Sequence, residues 1–180
     1  MLAVVVLAAA FGACRDGRGN AAIQATYDNT GYLRLLAFDS NGNGKPDTWS
    51  HMEGSRIARI EIDADEDGAI DRWEYYDSNQ QLEKVGTARR PDGKVARSEF
   101  YEGGVLARAE EDTDGNGIVD KWETYANGVV SSVAFDTAGV GHPTRRIQYD
   151  LPSGVQNPLT ASNHESVGAL SGATRRGEAR

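Results

Sequence analysis

Residues 112–135 read DTDGNGIVDKWETYANGVVSSVAF, and this stretch decides the fold. It opens with an acidic, glycine-broken loop, passes through Trp122 and Tyr125, and turns at Asn127-Gly128. Asn-Gly is the strongest short-range hairpin signal, because both residues tolerate positive φ. Beyond the turn, Val129, Ser131, Val133 and Phe135 recur with period two, which predicts a strand with these four residues largely on one face. The stretch therefore reads as loop, strand, tight turn, strand.

Working outward, the same pattern recurs every 24–25 residues, in segments that start at Asp39, Asp63, Ala88, Asp112 and Asp136. Their sixth residue is always glycine: Gly44, Gly68, Gly93, Gly117 and Gly141. The fourteenth is Met52, then Tyr76, Tyr101, Tyr125 and Tyr149, and the eleventh is Trp49, Trp73 and Trp122 in three of the five. Gly103-Gly104 and Thr30-Gly31 stand at equivalent turns, and Arg59-Ile60-Glu61-Ile62 alternates polar and apolar as a half-buried strand does. The expectation is an all-β fold over residues 26–150, an antiparallel meander of five hairpin repeats with the acidic loops between strands.

Composition agrees with a repeat rather than a dense core. The chain has 180 residues, one cysteine and a net charge of −8. One cysteine excludes an internal disulfide framework and any multi-cysteine metal site. The acidic balance, with no basic stripe, argues against nucleic acid. Between Tyr27 and Tyr149 only 22 residues are Leu, Ile, Val or Phe, below the one-fifth or so of chains that build a core. Thirteen of the 14 aromatics lie in that window, so the segment is expected to fold with help from something besides burial. Bound metal is the expected help.

The acidic loops carry that chemistry. Ca²⁺ takes six to eight oxygens, which short carboxylates at alternate positions of a tight loop can supply, with glycine where the chain turns sharply. Asp63, Asp65, Asp67, Gly68 and Glu74 fit the pattern D-x-[DN]-x-[DN]-G followed by glutamate, as do Asp112, Asp114, Asn116, Gly117 and Glu123. Asp71 and Asp120 fill the ninth position. The main-chain carbonyls of Ala69 and Ile118 would supply the seventh. The first loop offers Asp39, Asn41, Asn43, the carbonyl of Lys45, and Asp47, with Ser50 in place of the glutamate. The Ala88 loop puts Arg90 where a ligand belongs, and the Asp136 loop keeps only its first aspartate, so both are expected to be structural. Mg²⁺ suits these loops less well, since it prefers fewer protein ligands.

These loops resemble EF-hand-type calcium loops, while their flanks are strand chemistry rather than the helices of that family. Similar loops are inserted between strands in integrin propeller blades and occur in tandem in thrombospondin type 3 repeats. There the ninth-position aspartate can close the site, which favours Asp71 and Asp120 over Glu74 and Glu123 as ligands. The hairpin halves look like the short repeats of bacterial surface proteins. The resemblance implies a non-enzymatic, calcium-stabilised domain with a structural or adhesive role. Dockerin-like docking, or glycan binding by the tryptophans, is the alternative class, although dockerins follow each loop with a helix. No Ser/His or Cys/His pairing, phosphate loop or spare carboxylate pair suggests catalysis. His51, His142 and His164 share no ligand spacing.

The ends read differently from the middle. Residues 1–13, MLAVVVLAAAFGA, form an apolar run that ends in small residues before Cys14. This resembles a bacterial lipoprotein signal, which implies cleavage before a lipidated Cys14, a linker over residues 14–25 and anchorage at the cell envelope, on the outer membrane or cell surface. Phe11 and the lack of a basic leader depart from that pattern. Residues 151–180 hold no aromatic residue and are expected to be a disordered tail.

Overall fold

The computed structural model describes residues 23–89 and 92–155, and shows eleven strands and no helix among them. The strands are β1 (Ile23–Tyr27), β2 (Leu33–Phe38), β3 (Thr48–Glu53), β4 (Arg56–Ile62), β5 (Arg72–Tyr76) and β6 (Leu82–Ala88). They continue with β7 (Val95–Glu102), β8 (Val105–Glu111), β9 (Lys121–Ala126), β10 (Val129–Phe135) and β11 (Arg145–Gln148). All eleven form one antiparallel sheet in sequence order, the expected meander of hairpins. β1 starts at Ile23, inside the stretch read as linker, because Ile23 and Ala25 pair with Phe38 and Leu36. Cys14, Arg90, His164 and most of the expected tail lie outside the described residues.

Topology sorts the connections by length. Tight turns join each odd strand to the next even one, and the acidic loops join even to odd, so all five long loops line one end of the sheet. At the other end, Gly103 and Gly104 (φ 58° and 79°) and Asn127 and Gly128 (φ 49° and 79°) take the left-handed backbone that two-residue hairpins require.

Each hairpin carries one bulge on its second strand. Tyr75 pairs with Lys84 but Tyr76 with Leu82, and Phe100 pairs with Arg108 but Tyr101 with Leu106. The bulge corrects one expectation. Val130 pairs with Tyr125 and Ser132 with Thr124, so the buried Ser131 is the extra residue. An inserted residue shifts the alternation by one, so Val133 and Phe135 share a face that Val129 does not.

Register aligns residues into rows across the sheet. One row runs Trp49, Glu61, Trp73, Gly86, Ser98, Glu110, Trp122, Ala134. On the same face lies a row of Arg59, Tyr75, Lys84, Phe100 and Arg108, with Arg108 stacked over the Phe100 ring at 3.5 Å. The opposite face alternates Glu74, Val85, Glu99, Ala109, Glu123 and Val133. Val85, Ala109 and Val133 are buried there. The core is thus a thin line of small residues within a single layer, and most strand residues are only half-buried.

Candidate metal centre

The loops are built on a common neck. In each of four, the ninth residue's amide bonds the carbonyl just before the loop: Asp47 to Phe38, Asp71 to Ile62, Asp120 to Glu111 and Thr144 to Phe135, at 2.8–3.0 Å. The first residue's amide then bonds the ninth carbonyl of the preceding loop: Asp63 to Asp47, Ala88 to Asp71, Asp112 to Ala96 and Asp136 to Asp120. Strand pairing therefore continues into the loops and brings their first and ninth side chains together. Gly44, Gly68, Gly93, Gly117 and Gly141 all have positive φ, between 64° and 95°, which explains glycine at the sixth position of every repeat.

Two carboxylate clusters result. Asp63, Asp65 and Asp71 each offer an oxygen within 4.8 Å of the others, and Asp112, Asp114 and Asp120 do the same. Either trio can hold a metal ion. Asp67, Asn116 and Asn43 instead cap the amides two residues on, of Ala69, Ile118 and Lys45 (2.7–2.8 Å). In the first loop Asp39 and Asp47 are buried, with exposures of 3% and 4%. Asp39 receives the amides of Gly42, Asn43 and Gly44, and Asp47 those of the Ser40 amide and hydroxyl and the Thr48 hydroxyl.

The loops differ in how far their own hydrogen bonds satisfy these carboxylates. Asp112 takes the amides of Gly115 and Asn116 on Oδ1 and that of Gly117 on Oδ2. Desolvation pushes its pKa up, and these amides outweigh that and hold it below the usual carboxylate range. Asp63 is only 6% exposed. Its Oδ2 accepts from Gly68 N at 3.0 Å, and its Oδ1 is buried without a hydrogen-bond partner. A buried, unpaired carboxylate oxygen is costly unless a cation or donor meets it. The donor set around it is oxygen alone, which suits a hard cation.

Glu74 and Glu123 are placed elsewhere. On β5, Glu74 accepts from Arg72 Nε (2.8 Å) and the Tyr76 hydroxyl (2.7 Å). On β9, Glu123 accepts from Lys121 Nζ (2.7 Å), Arg97 (2.7 Å) and the Tyr125 hydroxyl (2.8 Å). The two residues expected at the twelfth position thus bond to neighbours on the strand face, and neither belongs to a carboxylate cluster. Glu99 follows the same rule with Arg97 and Tyr101, although no carboxylate cluster forms in its loop among the described residues. The signal that finds this arrangement is a cation, a glutamate and a tyrosine at alternate residues, which places all three on one face of a strand. The Ala88 loop meets its neighbour through Arg89, which bonds Glu111 and the Thr113 carbonyl. His51 pairs with Glu61 at 2.8 Å.

No family model and no curated protein matches the chain. Among solved structures, one of accessory secretory protein 1, 2 and 3 in Streptococcus pneumoniae aligns at 16% identity and TM-score 0.32, over 63% of this chain and 19% of that one. A GtfA/B complex bound to UDP and GlcNAc aligns at 15% identity and TM-score 0.35, over 70% and 24%. TarM aligns at 13% identity and TM-score 0.29, over 63% and 19%. The chain spans less than a quarter of the length of each, and likeness at this level carries no argument about function.

Proposed function

We propose that this protein is a calcium-binding β-repeat scaffold of a bacterial cell envelope, in which the ion ties the loop end of the sheet together. The observation that carries the reading is Asp63 Oδ1, buried and unpartnered among the Asp63, Asp65 and Asp71 carboxylates. Calcium at that point would meet these oxygens, with Asp67 and the Ala69 carbonyl as further ligands. The second site would use Asp112, Asp114 and Asp120, with Asn116 and the Ile118 carbonyl. The Asp39 loop, with Asn41, Asn43, Lys45 and Asp47, would be the weakest. Sites of the extracellular class, with Kd of about 10⁻⁴–10⁻³ M, act as staples rather than sensors. A lipid on Cys14, the sole cysteine, would tether the sheet to the membrane.

A second reading, adhesion through glycans, is favoured by one specific observation. Trp49 and Trp73 share a face, separated in their row only by Glu61, and Tyr75 and Phe100 stand in the adjoining row. All four rings are half-buried, and rings in line that keep one side open are the surface on which sugars stack.

Thermal melting of the wild type and of Asp63→Asn, each in calcium and in excess chelator, tests the main reading. Calcium at a hundredfold excess over Kd should stabilise the wild type by about 2.7 kcal/mol per site. Asp63→Asn should lose one such increment in calcium and melt no lower in chelator, because it removes a buried unpaired charge. A wild type that melts at one temperature in both conditions would sink the proposal.

A further inference from the structure

In three of the acidic loops the fourth residue is a glycine with left-handed backbone: Gly42 and Gly115 at φ 76° and Gly139 at φ 68°. The Asp63 loop instead has Glu66 there, at φ 58°, a conformation that bulky side chains avoid. A neighbour holds it. Asn43 Nδ2, in the Asp39 loop, donates to Glu66 Oε1 and Oε2 at 2.5 and 2.7 Å, and Asn41 Nδ2 donates to Oε1 as well.

The exchange of glycine for glutamate coincides with a change at the first aspartate. Where glycine stands, loop amides close Oδ1: that of Ala138 at Asp136, at 3.0 Å, and the fourth and fifth amides at Asp39 and Asp112. Gly42 and Asn43 donate to Asp39 Oδ1 at 2.7 and 3.1 Å, and Gly115 and Asn116 to Asp112 Oδ1 at 2.7 and 3.2 Å. In the Asp63 loop the amides of Glu66 and Asp67 leave Oδ1 without a partner. A cation arriving at Asp112 shares Oδ1 with two amides that already draw on its charge, whereas one arriving at Asp63 meets no competing hydrogen bond there.

We infer that Asn41 and Asn43, by gripping Glu66, hold the Asp63 carboxylate open, so that the Asp63 site is built by two adjacent loops and fills before the Asp112 site. Asn41, Asn43 and Glu66 are positioning residues in this scheme, and none of them touches the ion at the Asp63 site. The inference rests on the calcium reading above and adds to it an order of filling and the residues that set it.

Each site has its own reporter, since Gly68 N donates to Asp63 Oδ2 and Gly117 N to Asp112 Oδ2. Calcium titration of the ¹⁵N-labelled full chain, followed at these two amides, should give a lower midpoint for Gly68 than for Gly117. Glu66→Gly, and separately Asn41→Ala with Asn43→Ala, should raise the Gly68 midpoint about tenfold, the scale of one hydrogen bond to a charged group, and leave Gly117 in place. In chelator Glu66→Gly should melt no lower than wild type, because glycine takes this backbone without strain. If neither amide of the wild type responds to calcium, the calcium reading falls and this inference falls with it. If both respond but Gly117 moves first, or Gly68 is unmoved in the variants, or both midpoints shift together, calcium binding stands and the inference is overturned.

Discussion

Glu123 shows at the scale of one residue what spacing can and cannot reveal. Its distance from Asp112 satisfies a calcium-loop pattern, but a linear pattern does not say which way a side chain points once the backbone becomes extended. In a strand Glu123 faces the same way as Lys121 and Tyr125, and these are its partners. The aspartates before it were legible because their role depends on loop closure, which Gly117 makes visible in the sequence. The pKa of Glu123 follows from its setting. Desolvation raises it, but hydrogen bonds from Lys121, Arg97 and Tyr125 outweigh that and bring it from 4.5 down to about 2. The acid is depressed in the folded state, so its stabilising contribution is present above about pH 4.5 and drains away as the pH falls towards 2. Glu123→Gln should therefore be less stable than wild type at pH 6, with the difference narrowing from pH 4.5 to pH 2. Urea denaturation in chelator across that range would show it, and a difference independent of pH would contradict the assignment.

At the scale of the element, the hairpins could be read in advance because turn chemistry and the 24–25-residue period agree. The bulges could not. Nothing in Ser131 itself marks it as the extra residue, and its place is fixed only when Val130 and Ser132 find their partners on β9. The three strands β5, β7 and β9 repeat one motif, in which Tyr76, Tyr101 and Tyr125 each donate to the glutamate two residues before them, at 2.7, 3.0 and 2.8 Å. Four strand spacings, roughly 19 Å, separate Tyr76 from Tyr125. Replacing either with Phe should cost about 1 kcal/mol, and the double variant should lose the sum to within about 0.5 kcal/mol, as distant sites do. Equilibrium unfolding of the two single variants and the double one measures this directly. A large coupling between them would mean that the sheet transmits strain across its width.

For the molecule as a whole, the sparse aliphatic content announced a thin core, but not that the sheet would be one layer with its strands in strict sequence order. Substantial contact is made only between strands adjacent in sequence, so stability is approximately a sum of neighbour terms. The termini of such an array have one neighbour instead of two, and every residue of β1 and β11 is exposed. Amide hydrogen exchange in calcium should be slowest in β5 to β9 and fastest in β1 and β11, with the difference widening in chelator. Uniform protection from edge to edge would indicate all-or-none unfolding instead. The strand count has a last consequence, for how copies of this chain can meet. Ten reversals separate β1 from β11, and ten is even, so the first and last strands run in the same direction. A copy laid head to tail, with its β1 against the β11 of the one before, would form a parallel seam in an otherwise antiparallel lattice. Like edges related by a twofold rotation would form an antiparallel one. Parity alone therefore disfavours head-to-tail growth of this sheet and favours contacts between like edges.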